Sequence, residues 1–220
     1  MRCPLCASEN LTSYHTDKRR EYFCCEVCQL VFVPPVYHLN EQQEKAEYDK
    51  HDNSQLDKDY ARFLNRAVTP LAQRLTTLFG DDLRHLNGLD FGCGEGAFLS
   101  HLAFKQGLKM DNYDLYYHPN HELLNRQYDF ITLTEVIEHI ASPRDCIAQL
   151  NAMLSDKAVL LMMTKRVLSQ ERFANWHYKQ DPTHICFYSE ATLHWIAQQY
   201  SWAIELVSDD IVVFYQNKNK

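Results

Sequence analysis

The chain has no run of about 18 apolar residues, so no segment reads as a membrane-crossing helix. Its start, Met1-Arg2-Cys3-Pro4, lacks the apolar stretch of a signal peptide, and a cytoplasmic setting is expected. There is no basic excess. Lys and Arg number 22 against 29 Asp and Glu, a net charge of −7, which argues against a large phosphate-binding surface. Internal repeats are absent. Glycine is scarce, six in 220 residues, and three of the six fall at alternate positions in one five-residue stretch, Gly92, Gly94 and Gly96. What is present is enough for a core: 45% of residues are hydrophobic, and the length suits one medium domain plus a small module. Eight cysteines in a cytosolic chain read as metal ligands or core thiols, not as disulfides.

Four of those cysteines form two knuckles, Cys3-Pro4-Leu5-Cys6 and Cys25-Glu26-Val27-Cys28, with eighteen residues between them. Paired C-x-x-C knuckles at this spacing can deliver four thiolates to one tetrahedral Zn²⁺. Cys24 adjoins the second knuckle but breaks its spacing and reads as a bystander. Tyr22, Phe23 and Val31-Phe32-Val33 read as short strands, and Pro34-Pro35 ends the module. Residues 1–38 therefore read as a zinc ribbon too short for much of a core, stabilised by a structural metal. Residues 39–56 are polar and charged and read as a linker, an exposed helix or a lid, and 57–220 as the main domain.

From Asp57 onward, Tyr60, Phe63, Leu64, Ala67, Val68, Leu71, Leu75, Leu78 and Phe79 recur at helical steps up to a stop at Gly80, with Pro70 a candidate kink. Strands are then expected ending at Phe91 and over 109–113, 129–133 and 158–163. Helices are expected over 97–106, after the Ser142-Pro143 start, and from Ser189 to Tyr200. A hairpin, 203–207 with 211–215, closes the chain. The order is α/β with a terminal antiparallel hairpin.

The stretch Leu89-Asp90-Phe91-Gly92-Cys93-Gly94-Glu95-Gly96 runs from an apolar strand into a glycine-rich turn and a helix. Glycines there supply unusual backbone angles and remove the Cβ atoms that would keep a ligand off the main chain. The spacing departs from the pyrophosphate-binding G-x-G-x-x-G. Asp90 would repel a pyrophosphate and attract an ammonium or sulfonium. The run resembles motif I of the Rossmann-like, S-adenosylmethionine (SAM)-dependent methyltransferases, and the stretch 128–140, YDFITLTEVIEHI, is similar to that family's later strand and loop. The resemblance covers roughly residues 57–216.

The resemblance implies that Asp90, Gly92, Cys93, Gly94 and Gly96 line the methionine end of SAM, with Cys93 contributing backbone alone. Asp114, followed by Leu115 at the end of the second strand, would accept the ribose hydroxyls, with Asp111 as the fallback. Glu135 and Val136 would neighbour the cofactor, while Glu138 and His139 read equally well as structural. His184 resembles a histidine of the family's acceptor loop, and with His177 it is the candidate catalytic residue, to take a proton or orient a substrate. His177, His184 and Asp181 make an unconvincing metal set. Tyr48, His51, Asn53 and Tyr60 are lid candidates. Only about fourteen residues separate the second strand from Asp129, where the family has a helix and another strand.

The function implied is methyl transfer to a small-molecule or carrier-borne acceptor. Two alternatives stand beside it: a ribosomal RNA methyltransferase, and a non-catalytic zinc-ribbon adaptor. Residues 1–38 carry four Lys/Arg (Arg2, Lys18, Arg19, Arg20) and four Asp/Glu (Glu9, Asp17, Glu21, Glu26). An RNA grip should be basic, so a nucleic-acid partner is not expected.

Overall fold

The computed structural model describes residues 1–50 and 57–217. They divide into two compact units. One comprises Met1–Lys50, Ile137–Ala148 and Thr164–Ser201; the other, among the described residues, comprises 57–136, 149–163 and 202–217. The sequence put boundaries at 38 and 56. In the structure the first fifty residues instead share a unit with two later segments.

The second unit is built on a six-stranded sheet. Its strands are β4 (Asn87–Phe91), β5 (Lys109–Tyr113), β6 (Tyr128–Thr134), β7 (Leu154–Met163), β9 (Ala203–Leu206) and β10 (Ile211–Asn217). They lie in the order β5-β4-β6-β7-β10-β9. The first four are parallel; β10 runs antiparallel to β7 and β9, which makes the expected hairpin. Residues 114–127 form a turn and a short 3-10 segment, His121–Asn125, and add no strand, so β5 lies at the sheet's edge.

Helix α2 (Lys58–Phe79) packs on this sheet. Asp57 caps it by accepting the Tyr60 N–H at 2.7 Å, and Gly80 stops it at φ +90°. Pro70 lies inside it without breaking it. Leu64, Val68, Leu71 and Leu75 are buried against Phe130, Val159, Leu161 and Val213. The stripe recurs every three or four residues because only that spacing keeps one helix face on the sheet. Helix α3 (Phe98–Phe104) adds Leu99 and Leu102 to the same core and is shorter at both ends than the sequence suggested.

The first unit carries a four-stranded antiparallel sheet in the order β1-β2-β3-β8: β1 (Leu11–Thr16), β2 (Glu21–Cys25), β3 (Val31–Phe32) and β8 (Cys186–Phe187). Strand β1 was not legible, because its side chains alternate only weakly between exposed and half-buried. Strand β8 joins the ribbon to residues far along the chain: Val31 faces Phe187, Phe32 faces Cys186, and the Val33 N–H donates to Ile185 O at 2.9 Å. An aromatic group fills the space beneath. Tyr22, on β2, stands edge-on to Phe173 at 5.1 Å, and Phe173 stands edge-on to Phe187 at 5.3 Å and Tyr14 at 5.2 Å. Phe173 lies on α5 (Gln170–Ala174).

Helix α1 (Glu41–Tyr48) falls within the stretch read as a linker or exposed helix, with Asn40 and Gln43 closing a capping box. The lid candidates His51 and Asn53 lie outside the described residues. Helices α4 (Pro143–Met153) and α6 (Glu190–Tyr200) begin where the Ser-Pro start and the Ser189 cap put them. No helix among the described residues is long and apolar enough to cross a membrane.

Candidate functional site

The glycine turn leaves β4 and is fastened to the end of β5. Gly92 and Cys93 N–H groups both donate to Tyr113 O, at 2.8 and 3.1 Å. The three glycines do different work. A Cβ on Gly92 would lie 2.4 Å from Val136 Cγ2, so that glycine permits close packing of two chain segments. Gly94, at φ +65°, has open space where a Cβ would stand. Gly96 lies against the Phe98 ring. Ala97 then takes a left-handed φ of +45° at the start of α3, and Glu135, after β6, takes +53°. Non-glycine residues in this region cost of order 1–3 kcal/mol and gather at functional sites.

Two carboxylates serve this turn. Asp90 is 2% exposed and accepts the Thr132 hydroxyl at 2.8 Å. Burial pushes its carboxyl up to about 7; the Thr132 bond opposes the shift and the negative charge of Asp114 adds to it. A cation placed beside it would restore the charged form. Asp114 accepts the Gly94 N–H at 3.0 Å through Oδ2 and the Tyr116 and Tyr117 N–H groups at 2.9 and 3.1 Å through Oδ1. A carboxylate offers about four lone-pair sites, so Asp114 braces the turn and keeps limited capacity for a ligand. Asp111, the fallback, sits in β5 and pairs with Arg126 at 3.4 Å. Burial pushes the Cys93 thiol up, which keeps it protonated. Leu115 is 57% exposed, and the Glu135 N–H donates to Met163 O at 2.8 Å. Thr132 and Ala97 escaped the sequence reading.

In the other unit, the sulfurs of Cys3, Cys6, Cys25 and Cys28 lie within 4.8 Å of one another. Cys3 and Cys28 sulfurs are 3.4 Å apart, as are those of Cys6 and Cys25. The knuckles repeat one geometry: Ala7 and Gln29, each following its second cysteine, are left-handed and return their N–H groups to Cys3 O and Cys25 O at 2.9 and 2.8 Å. Four convergent sulfurs suit a tetrahedral thiophilic ion.

The loop after β7 is clamped to the ribbon. Buried Arg20 donates to the carbonyls of Lys179, Asp181 and Pro182 and, through Nε, to the Tyr22 hydroxyl at 2.9 Å. Lys179 pairs with Asp17 at 2.9 Å. His184, 7% exposed, has Nδ1 2.7 Å from Tyr178 O. A carbonyl only accepts, so Nδ1 carries the proton and Nε2 the lone pair. Burial lowers the pKa of His184, with the Asp181 carboxylate opposing. His177 is exposed, with Nε2 3.3 Å from Lys165 Nζ. His184 is instead brought to His139, ring centroids 4.6 Å apart, and with Glu138 these residues place ligand atoms within 4.8 Å of one another.

A glycine turn braced by acidic residues at the ends of parallel strands, with an antiparallel hairpin at the far edge, defines a Rossmann-like methyltransferase. The sequence matches the methyltransferase domain family over residues 53–207, and the chain belongs to that family; the SAM-dependent methyltransferase implied by its two motifs is the enzyme class it falls in. No curated protein sequence matches it. Among solved structures it is similar to the 1,6-didemethyltoxoflavin N1-methyltransferase of Burkholderia thailandensis, with bound 1,6-didemethyltoxoflavin and S-adenosylhomocysteine. That TM-score is 0.53 at 12% identity, over 93% of this chain and 99% of that one. It is also similar to magnesium protoporphyrin IX methyltransferase from Synechocystis, with bound S-adenosylhomocysteine, at TM-score 0.52 and 16% identity over 81% and 95%. An O-methyltransferase family protein from Burkholderia thailandensis gives TM-score 0.52 at 11% identity over 80% of this chain, which spans 64% of that protein.

Proposed function

We propose that the chain transfers the methyl group of SAM to a small-molecule or carrier-borne acceptor in the cytoplasm, with a structural Zn²⁺ in its four-cysteine cluster. The observation that carries this reading is the open face of Gly94, whose N–H Asp114 accepts, on the turn that follows buried Asp90. The donor supplies a sulfonium-bound methyl, which leaves by in-line displacement. Asp90 offers negative charge to the cationic amino-acid end, and Asp114 uses its remaining capacity for the ribose hydroxyls. Gly94 keeps a side chain off the path, Gly92 and Gly96 let Val136 and Phe98 pack against the turn, Cys93 contributes main chain, and Leu115, Glu135 and Val136 are its proposed neighbours. His184 offers a lone pair at Nε2, and exposed His177, beside Lys165, is the second candidate catalytic residue. A small acceptor is favoured because the ribbon is charge-balanced and because the structurally similar proteins include a 1,6-didemethyltoxoflavin N1-methyltransferase and a magnesium protoporphyrin IX methyltransferase.

Calorimetric titration with S-adenosylhomocysteine tests the site. Asp114→Ala should weaken binding by roughly 1.5–3 kcal/mol, the range for a hydrogen bond to a charged group. Gly94→Val fills the open face and should weaken it further. Binding unchanged in both variants would place the donor elsewhere.

A further inference from the structure

We infer that Glu138, His139 and His184 form a second metal site, for a divalent first-row transition ion held by two imidazoles and one carboxylate. It goes beyond the transferase reading and does not depend on where the donor binds. Three observations support it. Ligand atoms from the three side chains converge within 4.8 Å, although Glu138 and His139 come from the turn after β6 and His184 from the loop after β7.

The second observation is that each orienting contact suits coordination. His184 gives its Nδ1 proton to Tyr178 O, which leaves Nε2 as the ligand atom. Metal-ligating histidines almost always spend their other nitrogen on such a partner. The Tyr178 hydroxyl donates to Glu138 Oε1, which fixes the carboxylate plane, and Thr164 Oγ1 lies 3.3 Å from that hydroxyl. The Ile185 N–H holds Glu138 O at 2.9 Å, so the backbone ties the His184 loop to the Glu138 turn.

The third is charge. Glu138 is 0% exposed, and a divalent ion would neutralise a carboxylate sunk so deep. Asp181 Oδ2, 3.8 Å from His184 Nε2, adds negative potential at the margin.

Two imidazoles and a carboxylate suit Mn²⁺, Fe²⁺ or Zn²⁺, and three protein ligands leave positions for an oxygen of a bound molecule. The ligand class is therefore a hydroxyl- or carboxylate-bearing metabolite. The ion would polarise its oxygen, a Lewis-acid task. His184 then acts as a ligand and not as a proton acceptor.

Mn²⁺ is the probe, because the thiolate cluster favours softer ions and stays silent. Titrating the full-length protein and following the signal of free Mn²⁺ by electron paramagnetic resonance should show about one Mn²⁺ bound per chain. Glu138→Gln and His184→Ala should each weaken binding at least tenfold. Tyr178→Phe, which removes only an orienting bond, should weaken it roughly 10-fold. His139→Ala, at a half-buried ring, guards against misfolding: an unchanged melting curve with lost Mn²⁺ binding supports the site. A wild-type protein that leaves the free-ion signal untouched overturns it, as does identical titration of the wild type and the folded His139→Ala protein. S-adenosylhomocysteine affinity, read on the same samples, is governed by the glycine turn and separates failure of this site from failure of the transferase reading.

Discussion

The two units solve the problem of holding a site by different means. The sheet unit wraps Leu64, Leu71, Leu75, Phe130, Leu161 and Val213 into one apolar core, and its glycine turn hangs from strand ends already fixed by that core. The ribbon unit has a smaller aromatic group and relies on four sulfurs, on Arg20 and on strands only two residues long. The sheet unit can therefore tolerate a costly feature, the buried Asp90. The ribbon unit stands or falls with a few polar contacts and with the metal proposed for its four sulfurs.

Removing the ribbon metal should have the largest effect. Structural zinc contributes on the order of 10 kcal/mol to small metal-bound folds. A strong chelator should erase the near-ultraviolet circular dichroism of the Tyr22–Phe173–Phe187 group, and elemental analysis should find the lost metal to be zinc. Aromatic signals that survive complete metal loss would break the comparison.

The next effect belongs to Asp90. Its folded pKa, about 7, is raised from an ordinary value near 4. The proton stays on in the folded protein and leaves in the unfolded one between those pH values. Stability from this group is therefore complete below about pH 4 and lost as pH rises through about 7, a change of about 4 kcal/mol at 1.36 kcal/mol per unit. Asp90→Asn should flatten denaturant midpoints measured from pH 4 to 8. A bound cationic donor should favour the ionised form, so SAM affinity should rise through the same window in the wild type alone. Equal pH profiles for wild type and variant would sink this account.

A smaller effect is expected at Arg20. Arg20→Met keeps length and apolar stem but leaves the carbonyls of Lys179, Asp181 and Pro182 without their shared donor. A loss of about 2–3 kcal/mol follows from unmade bonds to a charged group. Hydrogen exchange should speed up across residues 176–188 while β4 and β6 stay protected. Faster exchange in the sheet strands instead would show that Arg20 does not act locally.

What the sequence disclosed and what it hid follow from the same contrast. The knuckles, the glycine turn, α2 and the hairpin are local patterns: spacing, periodicity and caps specify each within a few residues. The Ser189 cap and the Gly80 stop fell where their chemistry placed them. Three features were not legible. A two-residue strand such as β8 has no period to detect, and its partner lies in the ribbon. Arg20 looked like one of three surface charges in a row, because its carbonyl partners belong to a distant loop. Glu138 and His139 read equally well as site or structural residues; only the return of His184 brings the three ligand-bearing side chains together.

The pairing of β3 with β8 also sets a schedule. Val31 and Phe32 leave the ribosome long before Cys186 and Phe187 exist. At translation rates of roughly 5–20 residues per second, the newborn ribbon waits on the order of ten to thirty seconds with that edge unfilled. An open strand edge is a template for any neighbouring chain. Synthesis speed over residues 40–185 should therefore govern how much of the protein reaches its native form and how much is lost to aggregation.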